Sequence, residues 1–300
     1  MKYDYKDMPK SKATAKGMKM IQGDHQHIRA KMERDDLVYQ TKGGRDLRIR
    51  MVYPDYHHEK KIYPLIMHVQ GSAWFEQNLN GQILDFKDIV TSGYVLAIVE
   101  YLPLPEATFP SHVEDAKMAI RYLNRHADKL GIDMENTFIS GDSSGGHTAL
   151  MCWATWNTDQ LDVSTEPLPP IKGCIDLYGV VDIVSIADAE SAIDHTLSDS
   201  PEALLIGGKK PIEHVEKAEE ASVIHYLDNA KTYPPLLIMH GNKDTVVPFE
   251  QSVQLFEYCQ SANIDAEMYC VDDADHGGSL FYCDAVIQTM IQFLNRHLED

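Results

Sequence analysis

The sequence predicts an α/β protein, a mostly parallel sheet of eight strands flanked by helices. Two observations carry this. Short apolar runs recur between residues 37 and 272, and most are nearly continuous in apolar character, as parallel strands buried on both faces require. Between them lie stretches with apolar residues at steps of three and four. Alternation of the two patterns along one chain places helices on both faces of a single sheet.

Taken in order, residues 1–36 are polar and lysine-rich, without sustained periodicity, and are expected to form an arm. LVYQ and LRIRMVY then flank Thr41-Lys42-Gly43-Gly44-Arg45-Asp46, a Gly-Gly hairpin signal. Six more strand runs follow at 64–69, 94–101, 136–140, 174–179, 236–241 and 266–272. The strongest helix is expected at 111–130, where Val113, Ala116, Ile120, Leu123, Ala127 and Leu130 share a face. Ser111 and Glu114 read there as an S-x-x-E capping box, and Gly131 as the stop. Further helices are expected at 144–157, 249–262 and 279–298. Residues 37–300 thus read as one domain. Residues 183–232 are far longer than a crossover helix needs, and read as a small cap or lid inserted over the strand ends.

Composition and charge exclude several function classes. A 33.9 kDa chain that is 44% hydrophobic can bury a sizeable core without disulfides. Its mean hydropathy is -0.31, and no apolar run approaches the length of a membrane-spanning helix. The N-terminal lysines precede no apolar segment, so no secretory signal is visible; a trimmed one would leave no trace. Residues 1–36 hold nine basic and six acidic side chains, and the rest holds 18 against 40, a net of -22. So acidic a body repels phosphate backbones and anionic membrane surfaces, which leaves neutral small molecules and glycans as expected ligands. Cys152, Cys174, Cys259, Cys270 and Cys283 are odd in number, scattered and without metal-like spacing. Cys174 and Cys270 lie inside strand runs, where a thiol acts as a small hydrophobe. Reduced cysteines point to a cytoplasmic or otherwise reducing location.

The chemistry concentrates at 136–151. Gly141-Asp142-Ser143-Ser144-Gly145 is a G-x-S-x-G pattern set between a strand run and a helical run, the context that the motif requires. The glycines permit a tight strand-to-helix turn that raises the Ser143 hydroxyl above the sheet edge. The amides that follow open a helix whose positive end favours a developing oxyanion. A nucleophilic serine needs a base, and the base needs an orienting acid. Asp244 follows strand run 236–241 and His276 follows run 266–272, so the order is Ser143, Asp244, His276, all at carboxyl ends of strands. Asp182 is the serious alternative acid; Asp273 and Asp275 read as solvated loop charges. A second source of oxyanion donors is expected after run 64–69, at Gln70-Gly71-Ser72-Ala73-Trp74. There the amides of Ser72 and Ala73 join that of Ser144. Trp74 is either a wall of the substrate pocket or simple core.

These segments resemble the α/β-hydrolase fold of the esterase/lipase group that includes hormone-sensitive-lipase-like enzymes. The likeness is closest to the branch of bifunctional feruloyl and acetyl-xylan esterases. It is carried by PLIMHVQGSAW (64–74), YLPLPEATFPSHVEDAKMAIRYL (101–123), IDMENTFISGDSSGGHTAL (132–150), ASVIHYL (221–227), PPLLIMHGNKDTVVPFEQSVQLFE (234–257) and DADHGG (273–278). The resemblance implies Ser143 as nucleophile, His276 as base, Asp244 as its partner, and Ser72, Ala73 and Ser144 as oxyanion donors. Two segments depart from the family pattern. Its His-Gly-Gly-Gly-Trp turn is Gln70-Gly71-Ser72-Ala73-Trp74 here, and its Tyr-Arg is Tyr101-Leu102. Gln70 stands where the family histidine would brace the turn.

The expected activity is therefore that of a serine carboxylic-ester hydrolase working through an acyl-enzyme on small or short-chain acyl esters. Acetyl or feruloyl esters of plant-derived sugars are the class the resemblance implies. No metal and no organic cofactor is expected, and a homo-oligomer stays open. An amidase or formamidase using the same triad is the rival within enzymes. A hydrolase-fold binding protein without catalysis is the rival outside them.

Overall fold

The strands explain the architecture, because their side chains divide between two cores. In a computed structural model that describes residues 4–56, 61–228, 230 and 232–298, Leu65, Met67 and Val69 join one buried cluster. Their neighbour Ile66 joins the other. Val95, Ala97 and Val99 likewise face one layer, and Leu96 and Ile98 the opposite one. Successive side chains of a strand point to opposite faces, so a run apolar at every position serves both layers.

The described strands are β1 (Arg29–Met32), β2 (Leu37–Lys42), β3 (Arg45–Asp55), β4 (Tyr63–Val69), β5 (Val95–Val99), β6 (Ile132–Asp142), β7 (Gly173–Leu177), β8 (Leu236–Gly241) and β9 (Ala266–Val271). They form one sheet in the order β1-β3-β5-β4-β6-β7-β8-β9, with β2 also on β3. Pairs from β5 through β9 are parallel; β3 pairs antiparallel with β1, β2 and β5. The described helices are α1 (Lys87–Thr91), α2 (Ser111–Arg125), α3 (Ala127–Leu130), α4 (Ser143–Thr155), α5 (Pro201–Leu205), α6 (Val215–Glu220), α7 (Glu250–Ser261), α8 (Gly278–Phe281) and α9 (Asp284–Leu298). Side chains of α2, α4 and α7 pack into one core, those of α1 and α9 into the other. This is the α/β-hydrolase fold.

Several expectations need correction. Among the described residues the sheet has nine strands, because Arg29–Met32, inside the expected arm, pairs with β3 from Met32↔Val52 to Arg29↔Asp55. A short polar edge strand leaves no apolar run to read. Residues 1–3 of the arm lie outside the described residues, as do 57–60 and 299–300 of the expected domain. Strand 266–272 is not buried on both faces, since β9 is the other edge, and Cys270 is exposed. Ser111 is not an N-cap. Pro110 holds that place, and Ser111 Oγ instead accepts from Lys42 Nζ at 2.7 Å. The hairpin and the helix stop stand as expected, with Gly43, Gly44 and Gly131 at φ of 61°, 81° and 67°.

Residues 183–232, of which 229 and 231 lie outside the described residues, form short helical turns around α5 and α6. The segment is packed, not loose. Ile183, Ile186, Leu205, Ala218, Ala221 and Val223 are buried in the larger core. Phe109 N donates to Leu205 O at 3.0 Å, and Val223 N to Val181 O at 2.7 Å.

Candidate active site

Ser143 opens α4 directly after β6, at a φ of 53° that side chains other than glycine rarely adopt. Such a conformation costs roughly 1–3 kcal/mol and persists where its surroundings hold it. The two motif glycines supply that hold by close approach. A Cβ on Gly141 would overlap Gly145 O, and one on Gly145 would overlap Val69 O. The turn therefore packs backbone on backbone and leaves Ser143 Oγ at the lip of a cleft.

Three residues from three loops meet there. His276 Nε2 lies 2.8 Å from Ser143 Oγ, and His276 Nδ1 lies 2.7 Å from Asp244 Oδ2. A carboxylate at Nδ1 keeps the proton on that nitrogen and leaves Nε2 to accept from the serine hydroxyl. Asp244 is itself fully furnished. Its Oδ1 accepts from the amides of Val246 (2.8 Å) and Val247 (2.9 Å), and its Oδ2 also sits 3.2 Å from His240 Nε2. Burial would raise its pKa, but the bonds from His240 and His276 outweigh burial and hold it well below the usual carboxylate range. The other acids are engaged elsewhere. Asp182 bonds Val184 N, Ser185 Oγ and Ser222 Oγ; Asp273 pairs with Lys243; Asp275 accepts from the amide and hydroxyl of Thr245 and from the backbone amide, not the ring, of His276.

The turn after β4 departs from expectation in part. Ser72 N donates to Ser144 Oγ at 2.9 Å, so this amide, though Ser72 lines the cleft, is occupied by a partner inside the protein. The amides of Ala73 and Ser144 donate to no described acceptor. Ala73 and Trp74 adopt φ of 53° and 60°, left-handed values that glycine would take freely. Of the two places open to Trp74, a wall of the substrate pocket or the core, the structure gives it the core. It is 2% exposed, and its Nε1 donates to His147 Nδ1 at 3.3 Å. The reversed turn swings the indole inward, away from the cleft. Gln70 does brace the turn, its Oε1 accepting from Asn78 N at 2.7 Å.

Residues not singled out complete the site. Asp142 ties the turn to the elbow: its Oδ1 accepts from Gly71 N and its Oδ2 from Gln82 Nε2, both at 2.8 Å. His240, fully buried, bonds Ser252 Oγ and Val247 O while approaching Asp244. Tyr178 stands with its ring 4.7 Å from that of His276 and its hydroxyl 2.6 Å from Tyr282. The readable signals were the x of G-x-S and the histidine of the HGNKD turn. Nothing local marked Tyr178 or Gln82. The cleft encloses about 710 Å³, and Gln82, Asp85, Ser279, Tyr178 and Tyr282 line it beside Ser143 and His276. Among the described residues no lysine or arginine lines it, no group of three or more His, Cys, Asp or Glu side chains could hold a metal ion, and no helix is long and apolar enough to cross a membrane.

Fold and site together define an α/β-hydrolase of the esterase/lipase class. The BD-FAE family model matches residues 51–259, well over half of the chain, and the chain belongs to that family. Relatives include the probable carboxylic ester hydrolase LipM of Mycobacterium tuberculosis, 25% identical over 63% of this chain and 43% of that protein. Esterase LipC of the same organism is 26% identical over 73% and 54%. The chain spans about half the length of the curated relatives it matches. Among solved structures, a truncated carbohydrate esterase from gut microbiota shares the fold at TM-score 0.77 and 24% identity, covering 93% of this chain and 99% of that one. A bifunctional GH43-CE protein of Bacteroides eggerthii does so at 0.75 and 24%, covering 89% and 35%.

Proposed function

We propose that the protein is a serine carboxylic-ester hydrolase, with Ser143 as nucleophile, His276 as general base and Asp244 as the orienting acid. The observation that carries this is the continuous relay from Ser143 Oγ through His276 to Asp244 at 2.8 and 2.7 Å, opening into a cleft. Ser143 attacks the acyl carbonyl as His276 Nε2 takes its proton, and Asp244 stabilises the imidazolium. The carbonyl oxygen, now anionic, is received by the amides of Ala73 and Ser144, each donor worth roughly 3–4 kcal/mol in other serine enzymes. His276 then protonates the leaving alcohol, and water activated by the same nitrogen clears the acyl group.

The substrate class is a small or short-chain acyl ester of a neutral, hydroxyl-bearing alcohol, such as an acetyl or feruloyl ester of a plant-derived sugar. Support comes from a cleft of moderate volume, lined by both polar and apolar side chains with no lysine or arginine among the described residues, and from the carbohydrate esterases among the structures of like fold. The test compares wild type with Ser143→Ala on p-nitrophenyl acetate, butyrate and octanoate, methyl ferulate, acetylated xylo-oligosaccharides and a matched anilide. A loss of about a thousandfold or more in kcat is expected on the esters. Equal feeble rates in both proteins overturn the reading, and faster turnover of the anilide moves it to an amidase.

A further inference from the structure

The insertion between β7 and β8 carries a second serine–histidine–acid set, outside the Ser143 cleft. His195 Nδ1 lies 3.0 Å from Glu202 Oε2, and its Nε2 lies 3.1 Å from Val246 O and 3.2 Å from Ser191 Oγ. Ser191 Oγ in turn lies 3.1 Å from Thr245 O and 3.0 Å from Val246 O, while Ala192 N donates to Thr245 O at 2.8 Å. Both nitrogens of His195 face acceptors, so the buried ring carries both protons. Burial opposes that charge, and the hydrogen bond and charge of Glu202 outweigh it, raising the pKa. A doubly protonated imidazole cannot take a proton from Ser191. The set is not a second hydrolytic centre.

Its targets are informative. Thr245 C=O and Val246 N–H belong to one peptide unit, and Val246 C=O and Val247 N–H to the next. The two carbonyls are held by the insertion; the two amides are those that donate to Asp244 Oδ1 at 2.8 and 2.9 Å. A peptide unit is planar, so fixing its oxygen fixes the direction of its N–H. A carbonyl that accepts hydrogen bonds also strengthens donation from the amide across the unit.

We propose that Glu202, His195 and Ser191 are positioning residues for the triad, gripping the outer edge of residues 245–247 so that two peptide planes set the Asp244 carboxylate against His276. This rests on the triad reading given above. It assigns the insertion a part in orienting the catalytic acid, beyond covering strand ends.

The test uses the full chain with His195→Leu, His195→Gln and Ser191→Ala, each checked by thermal melt. His195→Leu is expected to lose about tenfold or more in kcat on p-nitrophenyl acetate with KM within about twofold, since small misplacements in such sites cost up to about a hundredfold. His195→Gln, whose amide can still donate to Val246 O, should recover most of the loss. Ser191→Ala should lower kcat several-fold with the same unchanged KM. In Ser143→Ala protein, the far-downfield proton resonance of His276 Nδ1–H should move upfield when His195→Leu is added. Wild-type kcat and an unmoved resonance in folded His195→Leu and Ser191→Ala overturn the proposal, as does a loss confined to KM. Should His195→Leu not fold, the same two results in Ser191→Ala alone overturn it. Esterase activity surviving Ser143→Ala sinks the triad reading instead, and the resonance still reports whether the insertion sets Asp244.

Discussion

Replacing Asp244 by asparagine separates its geometry from its bulk. Asp244 Oδ1 faces two N–H donors, those of Val246 and Val247. An asparagine that turned its NH₂ toward them would leave both amides unsatisfied, at roughly 1–3 kcal/mol each. Its oxygen is therefore fixed on that side, and its NH₂ faces His276 Nδ1, now 2.7 Å from Oδ2. His276 must then accept at Nδ1 and carry its proton on Nε2, the nitrogen that faces Ser143 Oγ at 2.8 Å. It can no longer take the serine proton. Wrong-tautomer variants of this kind lose about 10⁴ in kcat elsewhere, or about 5.5 kcal/mol at about 1.36 per decade. Initial rates on p-nitrophenyl acetate read the effect, with fluorophosphonate labelling expected to slow in proportion. Asp182→Asn is the control and should stay within about threefold, because its carboxylate bonds only Val184, Ser185 and Ser222. A folded Asp244→Asn protein losing less than about tenfold would refute the reasoning.

Two stability predictions follow from buried charges. Arg121 pairs bidentately with Asp162 at 2.9 and 2.7 Å, with side chains 2% and 7% exposed. Asp162→Ala strands that cation, which costs about 3–5 kcal/mol and should lower Tm by roughly 6–15 °C; an unchanged melt by scanning fluorimetry contradicts it. Burial works against the Asp162 carboxylate, but Arg121 outweighs burial and lowers its pKa. The pair's contribution is therefore present above about pH 4 and lost as pH falls through the lowered value. Asp176 has the opposite sign. Burial pushes it up to about 8, so the folded protein keeps a proton that the unfolded chain releases near pH 4. Its contribution to stability is full below about pH 4 and falls as pH rises toward 8, by up to about 1.4 kcal/mol per pH unit. Asp176→Asn should remove that slope, giving a Tm gain over wild type that grows from pH 4 to pH 8. A difference constant with pH would show that the carboxyl does not hold the proton.

What the sequence made legible was local or periodic. The parallel strands were readable because burial on both faces demands unbroken apolar runs. The elbow was readable because Gly141, Ser143 and Gly145 lie within five residues. The edges were legible only in part: β1, short and polar, was not read, and β9 was read as a strand but not as one that pairs on one side only. The oxyanion turn was half legible. Its position followed from the strand before it, but the diversion of the Ser72 amide depends on a hydroxyl 72 residues away. The inward turn of Trp74 depends on left-handed angles at Ala73 and Trp74 that no composition predicts. The bond from Gly71 to Asp142 spans 71 residues and has no periodic signature at all.

Residue types alone would not have found the site, because beyond the wholly buried contact of His240 with Ser252 and Asp244 the described residues assemble three further serine–histidine–acid sets. In the first, His68 Nδ1 lies 2.8 Å from Ser140 Oγ and its Nε2 3.2 Å from Asp142 Oδ1. Ser140, His68 and Asp142 are 1%, 0% and 4% exposed, and neither Ser140 nor His68 reaches the cleft, so no carbonyl carbon could approach that hydroxyl. In the second, His195 already holds both protons and has no base to offer. Of these, only the third combines a serine at the lip of a cleft, an imidazole whose Nε2 faces that hydroxyl, and amides beside it with no described acceptor. The His195 set grips the loop that presents Asp244, whereas Asp142, which fixes the oxyanion turn through Gly71, is held by Gln82 and makes no hydrogen bond with His68 Nε2. Access, proton inventory and unspent donors select the chemistry among identical residue types, and each of the three is set by backbone placement.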